Sequence, residues 1–207
     1  MLHFETVDIN TLELLRQIQS HAAFSGTRLV GGTALALQIG HRKSIDLDFF
    51  GHMEIPPIEL RQALEAYGET SLRSASGRIQ RYMVCGVQVD FVDYVYPWLD
   101  QAVSFDGLRL ASCSDIAAMK LSAITNRGTK KDFIDLAFLL ERFSLSEMLE
   151  FYKRKFSDGA SFPVLKSLVF FDDAEEDPMP NMLTAFDWTL AKQRISDAVS
   201  DLSVIAW

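Results

Sequence analysis

The sequence predicts an α+β protein in which strands and helices mix up to about residue 110 and helices alone follow. Three observations carry this. Residues 44–50 alternate with period two, Ile45, Leu47 and Phe49 against Asp46, Asp48 and Phe50, as a half-buried strand does. Residues 70–95 read as successive strands broken near Ser76-Gly77 and at Gly86, which predicts an antiparallel meander. Beyond Trp98 the apolar spacing turns helical.

Leu12, Leu15, Ile18 and Gln19 follow a helical period, and residues 27–30 form a short strand running into Gly31-Gly32. Residues 33–39 are rich in helix formers, and Gly40 is a natural C-terminal stop. Pro56-Pro57 opens a helix reaching about Tyr67, since proline is tolerated in a first turn. Val87, Val89 and Phe91 share one face of the last meander strand, and Gln88 and Asp90 the other. Ser112 or Ser114 caps a helix from about Asp115 to Asn126, ending at Arg127-Gly128. A second helix spans 131–143, and more helices follow, broken by Pro163 and by the acidic stretch 172–180. Two regions result: 1–110 as a core, and 111–207 as a helical region.

The 207 residues suffice for one compact domain, or for a core with a helical extension. The formal net charge of −8 argues against a dedicated nucleic-acid binder, although a local basic groove remains compatible with it. Cys85 and Cys113 form no metal-spaced set and read as reduced thiols, Cys85 within the core. No apolar stretch approaches membrane-spanning length, and the N-terminus has neither a basic n-region nor an h-region. A cytoplasmic protein with no membrane partner is expected.

The chemistry rests on Gly31-Gly32-Thr33, Asp46-Leu47-Asp48 and Asp90. Carboxylates at i and i+2 of a strand share a face, with Cα atoms roughly 6.5–7 Å apart. A third on a neighbouring strand completes a cluster for divalent metal. Oxygen-only ligands select Mg2+ or Mn2+ rather than zinc. The competing readings are a solvated strand face for the DxD, and Asp93 in place of Asp90. A strand, a Gly-Gly-Thr turn and a helix present backbone N–H groups that bind phosphate. A tight turn with no ligand is the alternative.

The run VGGTALALQIGHRKSIDLDFF resembles the glycine-rich and DxD motif of the nucleotidyltransferase superfamily related to DNA polymerase β. More narrowly it resembles the AbiEii/AbiGii toxins of type IV toxin–antitoxin systems. The stretch from Ser114 to Lys120, then Arg127 and Lys131-Asp132-Phe-Ile-Asp135, is similar to that family's helical lysine and KD-type motifs. The resemblance covers about residues 27–140. It implies a nucleotidyltransferase fold, a mixed and largely antiparallel sheet flanked by helices, with residues 111–207 completing the active-site cleft. Asp46, Asp48 and Asp90 would hold Mg2+ or Mn2+, and Asp90 would help deprotonate the acceptor. Gly31, Gly32 and Thr33 would contact the NTP. Lys120 would neutralise the triphosphate or orient the acceptor, and Lys131, Asp132 and Asp135 would organise that helical face. It also implies an RNA acceptor, tRNA in particular, or a protein acceptor, and a cognate antitoxin.

Arg42 and Lys43 precede the DxD and read equally as triphosphate contacts or as a solvated turn. His41 and His52 read as ordinary loop histidines. Arg127, Lys130 and Lys131 suggest a local basic patch. Trp98, Trp188 and Trp207 suit packing better than base stacking, and residues 172–177 read as a solvated loop. An NMP-transferring toxin leads. An antibiotic-type, small-molecule nucleotidyltransferase and a non-catalytic nucleotide-binding protein are the alternatives.

Overall fold

The computed structural model describes residues 1–53, 55–157 and 159–205. Trp207 lies outside them. The chain forms two compact units. The first holds Met1–Val95 and Gln101–Ala111, the second Tyr96–Asp100 and Ser112–Trp207.

In the first unit, α1 (Ile9–Ser20) is opened by Asp8, whose carboxylate accepts from the Asn10 and Thr11 amides. Strand β1 (Thr27–Val30) leads into α2 (Gly31–Ile39), which Gly40 ends in the left-handed conformation at φ 74°. Strand β2 (Leu47–Gly51) is followed by α3 (Pro57–Glu65), with proline in its first turn. The meander is β3 (Thr70–Ser76), β4 (Ile79–Val84) and β5 (Val87–Asp93), antiparallel throughout.

The strand at the DxD starts later than the alternation suggests. It begins at Leu47, and Ile45 is 65% exposed. Residues 103–110 also depart from expectation. Where a helical pattern was read, β6 (Val103–Phe105) and β7 (Leu108–Leu110) form a hairpin. Cys85 is not in the core either: it is exposed at φ 49° and shares the β4–β5 turn with Gly86 at φ 80°.

The sheet runs β3-β4-β5-β2-β1-β7-β6. β1 pairs antiparallel with β2, while β2–β5 and β1–β7 are parallel, so the sheet is mixed and largely antiparallel. Leu47, Phe49, Val89 and Phe91 line one buried face. The Phe91 ring centroid lies 5.1 Å from that of Phe24 and 5.3 Å from that of Phe49. Each such ring contributes about 1.5–3 kcal/mol through burial. Because side chains alternate, burying these residues sends Asp48 and Asp90 to the opposite face.

The second unit is helical: α4 (Cys113–Asn126), α5 (Lys130–Leu139), α6 (Leu145–Lys155), α7 (Ser161–Leu168), α8 (Asp172–Glu175) and α9 (Trp188–Ile205). Ser112 caps α4, and a Ser144–Glu147 capping box opens α6. Pro163 does not break the chain here; it sits in the first turn of α7, where no amide donor is needed. The acidic stretch is solvated, with Asp172, Asp173, Glu175 and Glu176 exposed, but it is not all loop: Asp172–Glu175 form α8, and Asp177 accepts from the Lys130 amide at 2.9 Å. Trp188 packs with Phe133 and Phe171. Among the described residues no helix is long and apolar enough to cross a membrane.

Candidate active site

The sheet register gathers the candidate acids of the first unit. In the parallel β2–β5 pair Asp48 stands beside Asp90, and in the β1–β2 pair Val30 stands opposite Asp48. Asp93 pairs with Gly51 instead, three positions along, and approaches His52 at 3.5 Å. The register therefore puts Asp90, not Asp93, next to the DxD. Asp46 lies just before β2, and its charge is felt at Asp90.

Gly31 and Thr33 shape this corner from α2. Gly31 sits at φ 69°, and a Cβ there would stand 2.5 Å from Asp48 Oδ2. The turn is thus open to glycine on two counts: backbone conformation and close approach of the carboxylate. The N-cap of α2 is Val30, whose side chain cannot accept from the opening N–H groups. These amides and the Asp48 carboxylate share one corner, a phosphate-binding helix start beside a cation-binding oxygen. Thr33 is buried, and its hydroxyl is engaged with Ser44 Oγ at 2.8 Å and with the Asp46 carbonyl. It fastens the loop that carries Asp46. Arg42 is buried rather than solvated and donates from Nη1 to the Lys43 carbonyl at 3.0 Å. His41 is buried as well.

Replacing Gly31 with alanine should cost about 1–2 kcal/mol for the left-handed backbone and force the Asp48 carboxylate aside. Gly77→Ala, at φ 54° with nothing within 4 Å of the new methyl, is the control. Both variants should lose similar melting temperature, but only Gly31→Ala should lose activity that depends on Asp48. Full activity of Gly31→Ala would show that Asp48 need not hold its position.

Asp90 is the most enclosed of the three acids. Burial pushes its carboxyl above the usual range; Arg81 and Gln88 pull it down, and the Asp46 charge adds to the rise. Arg81 Nε donates to Asp90 Oδ2 at 2.9 Å, and Gln88 Nε2 to Oδ1 at 3.3 Å. Among the described residues no three His, Cys, Asp or Glu side chains are gathered closely enough to hold an ion as they stand. The donor set nevertheless fits a hard divalent cation, with carboxylate oxygens from adjacent, registered strand positions.

In the second unit, Lys120 is buried with Nζ 2.8 Å from Asp132 Oδ1 and 2.5 Å from Asp135 Oδ2. Thr129 donates to Asp132 Oδ2 at 2.5 Å. Burial acts to raise the Asp132 carboxyl, but Lys120, then Thr129 and Arg127, outweigh it and hold it below the usual value. Lys131 is exposed. Lys130 does not join it in a basic patch: it is buried, with Nζ on the Glu175 carbonyl at 3.0 Å and on the Asp177 carbonyl.

The depressed Asp132 value sets a pH dependence. Folding lowers this carboxyl, so its stabilising contribution is complete above the unfolded-chain value of about 3.9 and is lost as pH falls through the folded value. The melting-temperature gap between wild type and Asp132→Asn should therefore be widest at neutral pH and narrow towards about pH 3. A constant gap would mean that the carboxylate charge is not what stabilises the cluster.

Sequence reasoning passed over two groups. Arg81 is one; its signal is the strand alternation that places it on the Asp90 face. The other is Asp115, fully buried in the second unit and 2.6 Å from the equally buried Lys155 Nζ. Asp115 accepts from the Leu99 amide at 2.9 Å and from Ser112 Oγ at 2.7 Å. Lys155 donates to the Pro97 carbonyl at 2.9 Å and lies 4.6 Å from the Trp98 ring centroid.

A family model described as nucleotidyl transferase AbiEii toxin, type IV toxin–antitoxin system, matches residues 13–205. An uncharacterized protein of Aquifex aeolicus (strain VF5) is 33% identical over 171 residues, covering 80% of this chain and 83% of that protein. The structure resembles JHP933 from Helicobacter pylori with a TM-score of 0.59 and 18% identity, covering 94% of this chain and 92% of that one. It resembles the nucleotidyltransferase toxin MenT4 of Mycobacterium tuberculosis H37Rv with a TM-score of 0.60 and 16% identity, covering 94% and 83%. At these identities the two solved structures show a shared fold.

Proposed function

The chain belongs to the AbiEii family of nucleotidyltransferase toxins, and on that premise we propose that it transfers an NMP from an NTP to an RNA, in particular tRNA, or to a protein, as the toxin of a type IV toxin–antitoxin pair. The acceptor hydroxyl attacks the α-phosphorus, the bond to the bridging oxygen breaks, and pyrophosphate leaves in line. The observation that carries this reading is the register of Asp48 beside Asp90, with Gly31 backed against the Asp48 carboxylate.

Asp46, Asp48 and Asp90 would hold Mg2+ or Mn2+, which when bound polarises the phosphate and offsets the charge developing on the leaving group. The Gly31 and Gly32 amides receive triphosphate oxygens at the start of α2. Thr33 keeps the Asp46 loop in place, and Asp90 accepts the proton of the attacking hydroxyl. Lys131, exposed on α5, offers a cation to phosphate. Lys120 and Asp132 act as a pair on that helical face.

The test is transfer of label from each α-32P NTP, with Mg2+ or Mn2+, to total RNA and to protein, with Asp48→Ala as control. Label in an RNA or protein band that the variant fails to produce supports the reading and identifies the acceptor class. No label with any of the four nucleotides rejects a macromolecular acceptor.

A further inference from the structure

We propose that Arg81 is a built-in counter-cation of the candidate active site, neutralising Asp90 before a divalent ion arrives and giving it up when one binds. The inference rests on the metal-dependent reading above and goes beyond it by adding a positioning residue that acts through Asp90.

Four observations point this way. Arg81 and Asp90 are cross-strand partners in the antiparallel β4–β5 pair, so both side chains leave the same face of the sheet. That is the face on which the parallel β2–β5 register sets Asp48 beside Asp90. Arg81 Nε lies on Oδ2 while Gln88 lies on Oδ1, so both Asp90 oxygens are engaged by neighbours from its own sheet. The two partners are also unequally held: the Asp90 side chain is 12% exposed, whereas that of Arg81 is 51% exposed and can swing into solvent.

A divalent ion ligated by Asp90 meets the guanidinium as a like charge at short range, and neither gains from the other's presence. The cross-strand contact and the ion are therefore alternatives. Arg81 keeps a buried acid neutralised and aimed while there is no ion, at the expense of ion affinity.

The experiment is Mn2+ binding to the full chain without nucleotide, followed by electron paramagnetic resonance of free Mn2+, for wild type, Arg81→Gln, Arg81→Met, Arg81→Lys and Asp48→Ala. Melting temperatures are recorded with and without Mn2+. Arg81→Gln and Arg81→Met should bind Mn2+ about tenfold more tightly than wild type, should melt lower without the ion, and should recover with it. Arg81→Lys should behave as wild type. A merely structural Arg81 would lower the melting temperature without tightening Mn2+ binding. Unchanged or weaker binding by both neutral variants, with Asp48→Ala abolishing it, overturns the role of Arg81 and leaves the metal reading standing. Binding that Asp48→Ala does not affect, or no binding by any variant, overturns both.

Discussion

Asp48→Ala should lower nucleotide transfer by about a thousandfold or more, while the folded protein keeps or slightly raises its melting temperature. Asp48 is placed by the backbone pairing of β2 with β5 and by the close approach of the Gly31 backbone to its carboxylate. In the proposed reaction its carboxylate takes part in holding an ion worth several kcal/mol to the transition state, and each 1.4 kcal/mol is tenfold in rate. The same carboxylate is a burden on the resting fold, because it adds negative charge beside Asp90 and near Asp46. Removing it relieves repulsion. Loss of activity with retained stability separates a functional acid from a structural one. An Asp48→Ala protein that transfers at the wild-type rate would remove the acid from the mechanism; one that is inactive because it unfolds would show that its role is architectural.

The second large effect concerns stability. Lys155→Met should destabilise the protein by about 3–5 kcal/mol, because it leaves the Asp115 carboxylate buried without its counter-charge. For a chain of this size that is a fall of roughly 10 °C in melting temperature. The pair is fully enclosed, at 0% exposure for both side chains, so solvent cannot replace the lost partner. Exchanging both residues, Asp115→Leu with Lys155→Met, should recover part of the loss. Recovery stays incomplete because the Leu99 amide still lacks its acceptor. Arg61→Ala, which breaks the exposed Arg61–Glu65 pair on α3, should cost no more than about 0.5 kcal/mol. Thermal melts of the four proteins decide the matter; a Lys155→Met loss comparable to that of Arg61→Ala would refute the buried-pair account.

Much of the fold was legible because local chemistry agreed with global structure. Gly40 ends α2, Pro57 opens α3, and Gly77 and Gly86 turn the meander, each through backbone conformations that few other residues adopt. The β6–β7 hairpin was missed although its signal is present. Asp106-Gly107, both at positive φ, is a favoured two-residue hairpin turn, and it is flanked by Val103–Phe105 and Leu108–Leu110. Alternation overran the start of β2 because Ile45 matches the period while standing in solvent. The three acids of the candidate site were legible as a motif, but choosing Asp90 over Asp93 needed the parallel β2–β5 pairing, a non-local register that one sequence does not encode visibly. Buried charges were the least legible. Lys130 and Lys155 sit beside other charged residues in sequence, and only the packing of other elements reveals that they leave water.

The path of the chain also bears on how such a protein can be divided or recombined. Residues 96–100 leave the first unit, contribute backbone groups to the Asp115–Lys155 pair, and are followed by the β6–β7 hairpin back in the first unit's sheet. No single breakpoint separates the two units. A cut after residue 95 strips two strands from the sheet, and a cut after residue 111 removes the Leu99 amide and Pro97 carbonyl from the buried pair. Neither unit is therefore a portable module. A gene fusion or recombination event with one crossover would leave both halves incomplete, so new properties are expected to arise by substitution within the intact chain rather than by exchange of one unit.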